Sequence, residues 1–179
     1  MNYKLKSPVD NFIKWENLKG EDTFLIQPIN GNNQEFTWSQ VGEEARKVCS
    51  YINSFNFPKK SKIAILSKNC AHWIITDLAI MMSGNISVPI YANVNGKTAK
   101  YILEHSESVM LFLGKLEEDD WKQMKNYIPK NIEKVDYGFY NLEDGLYSFK
   151  NGFTVLGSIM IGAPLIAALV LFRMYQNTV

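Results

Sequence analysis

Asn95-Gly96-Lys97-Thr98 is the segment of this chain nearest in residue type to a phosphate-binding loop, where successive backbone amides cradle phosphates and a lysine neutralises them. The loop's upstream glycine belongs at position 91, which holds Tyr91, so the tight nest cannot form. A turn followed by a helix start is the better reading. Glu117, Glu118, Asp119 and Asp120 are acids of the kind that hold a cation, but consecutive helical positions do not converge on one point. A favourable interaction with a helix N-terminus explains them more simply. His72 and His105 have no serine, cysteine or aspartate at a spacing that marks a triad, and both read as partly buried packing residues. Cys49 and Cys70 lie in apolar, helix-like stretches without a CxxC or Cys/His ligand pattern, which makes them reduced core thiols. No catalytic, cofactor-binding or metal-ligating residue is assigned on these grounds.

Composition narrows the partners. A net charge of +1, with acids and bases interspersed, leaves no broad basic surface for a phosphate backbone, so nucleic acid is not an expected partner. At 179 residues there is room for one ordinary domain and a short appendage. The opening MNYKLKSPVDNFIKW carries basic residues but no apolar run of the secretory kind, so the domain is expected on the cytosolic side. Asn85-Ile86-Ser87 matches the glycosylation acceptor pattern and is discounted for the same reason.

The elements that would position these residues can be read in order. Phe12, Ile13, Trp15 and Leu18 recur at helical spacing over Asp10–Leu18. Thr23–Ile29 and Gln34–Phe36 flank Asn30-Gly31-Asn32-Asn33, which predicts a hairpin. Thr37 and Gln40 form a capping box ahead of a helix whose apolar positions are Val41, Ala45, Val48, Cys49, Ile52 and Phe55, stopped near Phe57-Pro58. Lys62–Leu66, Ala71–Met82 and Ile86–Ile90 read as strand, helix, strand, with Gly84 and Asn85 turning out of the helix. That pattern is a βαβ crossover with parallel strands and a helix covering the sheet. Gly96–Glu107 follows as a helix, with Thr98, Tyr101, Ile102 and His105 on one side and a Lys100/Glu104 pair on the other, and then Val109–Leu113 as a buried strand. Glu117–Tyr127 is predicted as a helix and Ile132–Asp136 as a final strand. The fold class is therefore α/β: a mostly parallel sheet with flanking helices and an amino-terminal β-hairpin over residues 1–136, then a connection over 137–152.

Phe153–Phe172 is twenty residues without a charge, between Lys150 and Arg173. At helical rise it reaches about 30 Å, the thickness of a bilayer's hydrocarbon core. Residues 153–173 are expected to form one transmembrane helix, with 174–179 as a short tail and post-translational, tail-anchored insertion as the route. Membrane lipid is then a partner. Ser158 with Gly162, and Ala163 with Ala167, are small residues four apart that permit close contact with another membrane subunit, and Pro164 adds a kink.

Several of these segments carry a resemblance. Phe36-Thr37-Trp38, the run Lys62 to Asn69 (KIAILSKN), Trp73, Asp77-Leu78-Ala79, Gly84, the run Ser87 to Tyr91 (SVPIY), Tyr101-Ile102-Leu103 and Leu111-Phe112 are similar in order and spacing to the amino-terminal subdomain of the adenylate-forming (AMP-binding) ligases, most closely long-chain fatty-acyl-CoA synthetases. The resemblance implies ATP-dependent activation of a carboxylic acid to an acyl adenylate and transfer to coenzyme A, with ATP, magnesium and coenzyme A as the family's cofactors. The family's Ser/Thr/Gly-rich phosphate loop, its adenine and ribose contacts and its lid lysine have no counterpart in this sequence, so no catalytic residue carries over. The expectation is a truncated, membrane-anchored relative, inactive alone. The alternatives are a ligase-like domain serving as a structural subunit of a membrane assembly, or one whose adenylation half is a separate chain.

Overall fold

Two capping boxes set where the first helices begin. In the computed structural model, which describes residues 6–29, 32–136 and 147–148, Ser7 accepts the Asp10 amide at 3.1 Å while the Asp10 carboxylate accepts the Ser7 amide at 3.0 Å. With Pro8 at the first helical position, where its missing N–H costs nothing, α1 runs Pro8–Lys19 and starts two residues before its apolar pattern does. Thr37 and Gln40 repeat the device at 3.2 and 2.9 Å and open α2, Trp38–Asn53. Its core side is Val41, Ala45, Val48 and Ile52. The helix stops at Asn53, so Phe55 packs from the following turn rather than from α2 itself.

Between these helices β1, Thr23–Ile29, pairs antiparallel with β2, Asn32–Thr37. Ile29 stands opposite Asn32 and Pro28 opposite Asn33, so Asn32 and Asn33, expected in the turn, belong to the strand. The register leaves only positions 30 and 31 between the paired ends, and those two lie outside the described residues.

The second sheet holds β3, Lys62–Leu66; β4, Ile86–Ile90; β5, Ser108–Leu113; β6, Glu133–Asp136; and β7, Tyr147–Ser148. Its order is β4-β3-β5-β6-β7, and each neighbouring pair is parallel. The expected βαβ unit is present with the expected bounds, β3 and β4 joined by α3, Ala71–Met82. Gly84, at φ 76°, makes the turn out of α3, a left-handed conformation that a side chain would strain. β7 lies inside the stretch expected to be a connection and extends the sheet by one short strand. Of that stretch, only Tyr147 and Ser148 are described.

Strand alternation divides the core into two layers. Ile63, Ile65, Met110, Phe112 and Val135 face one side, with α1, α2 and α3. Ala64, Leu66, Leu111 and Leu113 face the other, with α4, Gly96–His105, and α5, Glu118–Met124. α3 is apolar around most of its circumference because it is a middle layer. It packs on the sheet and also against α2, α1 and β1. The hairpin is tied to it by Gln27, whose side-chain oxygen accepts the Ala71 amide at 2.9 Å.

Of the α4 residues on the side of Thr98, Tyr101, Ile102 and His105, only Ile102 packs against the core. Gly96, Ala99 and Leu103 are buried, while Tyr101 is 64% exposed and stacks on exposed His105 with ring centroids 5.4 Å apart. Gly96 lies against the Tyr127 ring and Ala99 and Leu103 lie in the core layer, so the bulky Tyr101 and His105 turn to solvent. His105 is therefore not a packing residue of the core. The helix expected over Glu117–Tyr127 is shorter: α5 ends at Met124 and tightens into a 3-10 turn, Lys125–Tyr127. Among the described residues no helix is long and apolar enough to cross a membrane. The expected span Phe153–Phe172 and its contact residues Ser158, Gly162, Ala163 and Ala167 lie outside the described residues.

Candidate functional site

Doubly wound sheets bind ligands beyond the carboxyl ends of their strands, where the chain leaves one strand for neighbours on opposite sides. Here that switch point lies between β3 and β5, because the chain passes from β3 to β4 on one side and then crosses to β5 on the other. The loops that leave it are Ser67-Lys68-Asn69 after β3 and Gly114-Lys115-Leu116 after β5.

Those two loops are bonded to each other. Gly114 N–H donates to the Leu66 carbonyl at 3.0 Å, and Lys68 N–H donates to the Lys115 carbonyl at 2.7 Å. The buried Ser67 hydroxyl accepts the Lys115 amide at 2.9 Å and donates to the Lys68 carbonyl at 2.7 Å. Outside this stitch the Lys68 ammonium pairs with Glu117. Its hydrogen bond, helped by its charge, holds the Glu117 carboxyl below the usual carboxylate range. Three of the amides that would greet a phosphate at this position, those of Lys68, Gly114 and Lys115, are thus spent on the protein's own carbonyl and hydroxyl oxygens.

The loop-like Asn95-Gly96-Lys97-Thr98 is also built as a helix start. Asn95 accepts the Thr98 amide at 2.9 Å, which caps α4. A Cβ on Gly96 would lie 2.3 Å from the Tyr127 ring, so this glycine makes room for an aromatic side chain. Among the described residues, then, both segments direct side-chain or amide groups to the protein itself.

The remaining candidates are dispersed. His72 on α3 and His105 on α4 lie on opposite faces of the sheet. His72 packs edge-on against Phe36, centroids 6.1 Å apart, and burial lowers its pKa. Cys49 and Cys70 are free thiols; Cys70 is buried, and Cys49 is half-buried with its pKa raised by that burial against a 3.5 Å contact from Asn53. Of the four acids, Glu117 precedes α5 and pairs with Lys68, while Glu118, Asp119 and Asp120 begin the helix. No group of three His, Cys, Asp or Glu residues is placed to hold a metal among the described residues.

A shallow groove of about 690 Å³ runs between α1 and α2, past Asn17, Glu21 and Ser39. Arg46 reaches into it but is held by Glu16 in a two-pronged pair, at 2.7 and 3.0 Å. That hydrogen bond raises the arginine's pKa. Gly42 lets the carboxylate lie on α2, since a Cβ there would fall 1.9 Å from Glu16 Oε1. The pair joins positions 30 apart, which no local pattern reveals. Its chemistry is structural: the cation is already neutralised.

Comparison with known proteins agrees with this architecture. Over 100 residues the chain is 28% identical to fatty acyl-CoA synthetase A of Dictyostelium discoideum, covering 55% of this chain and 15% of that protein. It is 27% identical over 101 residues to a crotonobetaine/carnitine–CoA ligase of Salmonella paratyphi A, covering 54% and 20%. The chain thus spans no more than a fifth of these relatives' length. The fold is that of the crystallised anthranilate CoA ligase AuaEII, with a TM-score of 0.70 at 20% identity over 82% of this chain and 27% of the ligase. A family model described as AMP-binding enzyme matches residues 12–144. A match of that extent, carried by the parallel sheet and its helices, makes this chain a member of the AMP-binding enzyme family, corresponding to its amino-terminal region.

Proposed function

We propose that this chain contributes the amino-terminal part of a carboxylate-activating ligase of the long-chain fatty-acyl-CoA synthetase kind, and that by itself it forms no acyl adenylate. The observation that carries the reading is the closed switch point. Ser67, Lys68 and Lys115 bond one another, and Gly114 bonds the Leu66 carbonyl, where a doubly wound sheet would otherwise offer amides to a phosphate. Stabilising charge on a transferring phosphoryl group takes aligned amides and free cations, whereas here the amides of Lys68, Gly114 and Lys115 bond to protein oxygens and the Lys68 ammonium is paired with Glu117. The ATP, magnesium and coenzyme A of the family reaction are then handled by residues other than those described.

Phe153–Phe172 anchors the domain to a membrane in this reading, with the domain on the cytosolic side and lipid as its partner. The decisive measurement gives the purified chain ATP, magnesium and a series of fatty acids, with pyrophosphate release and acyl-adenylate as readouts. No product is expected, and steady turnover would overturn the proposal. Extraction of membranes with alkaline carbonate tests the anchor separately: the chain should stay in the pellet.

A second reading rests on the small-residue spacing of Ser158 with Gly162 and Ala163 with Ala167. In it the domain is a structural subunit docked into a larger membrane assembly. Solubilised gently, it should then migrate with stable partners, and a lone monomer counts against it.

A further inference from the structure

The outer arc of α1 has an arrangement that the core does not explain. Trp15 and Leu18 are 40% and 65% exposed and lie one turn apart. At about 100° per residue, the order around this side of the helix is Lys14, Leu18, Asn11, Trp15, Pro8, Lys19, an arc of about 140°. Phe12, buried, and Glu16, which holds Arg46, lie beyond its Lys19 rim on the side that meets the domain.

Two large apolar side chains, Leu18 and Trp15, therefore sit between two lysines, with Pro8 beside them in the first turn. The lysine ammonium groups lie 5.2 and 5.6 Å from the centre of the Trp15 ring. No carboxylate of α1 falls within the arc. Asp10 is engaged by the Ser7 amide and Glu16 by Arg46. Beyond the helix, Asp22 lies 3.7 Å from Lys19, both exposed, a pairing of little strength in water.

We propose that this face of α1 rests on the surface of a phospholipid bilayer. An indole is suited to headgroup depth, a leucine to the first carbons of the acyl chains, and lysines at both rims to the lipid phosphates above them. A protein partner is the poorer occupant, because lysine is depleted at protein interfaces, whereas it is favoured along the rim of a helix lying on a membrane. With only two large apolar side chains the contact is weak, and its role is to orient the domain rather than to anchor it. It requires neither the Phe153–Phe172 span nor any ligase activity.

The test uses the full chain with vesicles of phosphatidylcholine and phosphatidylglycerol whose acyl chains are brominated near the headgroup, compared with unbrominated vesicles. Bromine quenches indoles at that depth. The wild type should lose a component of tryptophan emission that Trp15→Phe does not possess. The paired substitution Lys14→Gln with Lys19→Gln should reduce that component about tenfold while the thermal unfolding midpoint moves little. Quenching equal in wild type and Trp15→Phe overturns the proposal, as does none in either. A concentration-dependent, Trp15-dependent oligomer without lipid overturns it in favour of a protein surface.

Discussion

Gln27 on β1 caps the helix that begins at Ala71, its side-chain oxygen accepting the Ala71 amide at 2.9 Å. Cys70, at the N-cap position of α3, supplies no side-chain capping bond. A residue 44 positions earlier takes over that role and ties the two-stranded hairpin to the main sheet's layer. Gln27→Ala should therefore cost about 1 kcal/mol in urea unfolding, in line with the loss of a helix cap. Gln27→Glu keeps the acceptor and adds a negative charge at the helix N-terminus, but it loses the side-chain amide that donates to the Pro28 carbonyl at 3.2 Å, so it should fall between Gln27→Ala and the wild type. Equal stability of Gln27→Ala and wild type would remove the cap from the account.

Glu16, Arg46 and Gly42 form a coupled set. The carboxylate is 12% exposed and the guanidinium 53%. A Cβ at position 42 meets the end of the Glu16 side chain, which can move but only by giving up its grip on Arg46. Gly42→Ala should be close to neutral alone, since the lost pair offsets the helical preference for alanine. In a Glu16→Ala background the same change should stabilise by about 1 kcal/mol. A double-mutant cycle reads the difference, and strict additivity would refute the coupling.

Ser67→Ala should be more damaging than its size suggests. It removes the acceptor of the Lys115 amide and the donor to the Lys68 carbonyl in a buried position, a loss of about 1 to 3 kcal/mol in chemical denaturation. Glu117→Gln, which breaks only the outer pair with Lys68, should shift stability little, and by less still in high salt.

Acid should destabilise the domain through His72. Burial holds its folded pKa below 6.5, the value it returns to when unfolded. The unfolded state then binds more protons below that pH, so this contribution is fully present above about pH 6.5 and is lost as pH falls from there through the folded pKa. The unfolding midpoint should drop across that window. His72→Phe should flatten the slope while keeping a ring against Phe36. An identical slope in the variant would assign the pH effect elsewhere.

How much of this could be read from sequence follows from how local each signal is. Lys62–Leu66, Ala71–Met82 and Ile86–Ile90 have the bounds their apolar runs predict, because every residue type in them serves burial and the turns between them carry Gly84 or polar residues. Thr37 and Gln40 were equally legible, since a capping box spans four residues. The same logic was available at Ser7, Pro8 and Asp10, where apolar periodicity alone placed the helix start too late. The inward side of α4 is less legible: Ile102 packs against the core but Tyr101 does not, while small Gly96 and Ala99 are buried because the space beneath the helix, at Gly96 set by Tyr127, admits no larger side chain there. Gln27 with Ala71, Glu16 with Arg46 and Ser67 with Lys115 join distant positions, and sheet order determines who meets whom.

The position of α3 between two layers bears on how the domain opens. A helix pressed on one side by the sheet and on the other by α2 cannot fray toward solvent without parting both contacts. Its amide protons should accordingly be among the slowest in the molecule to exchange with deuterated water, released only by the motion that takes the whole domain apart.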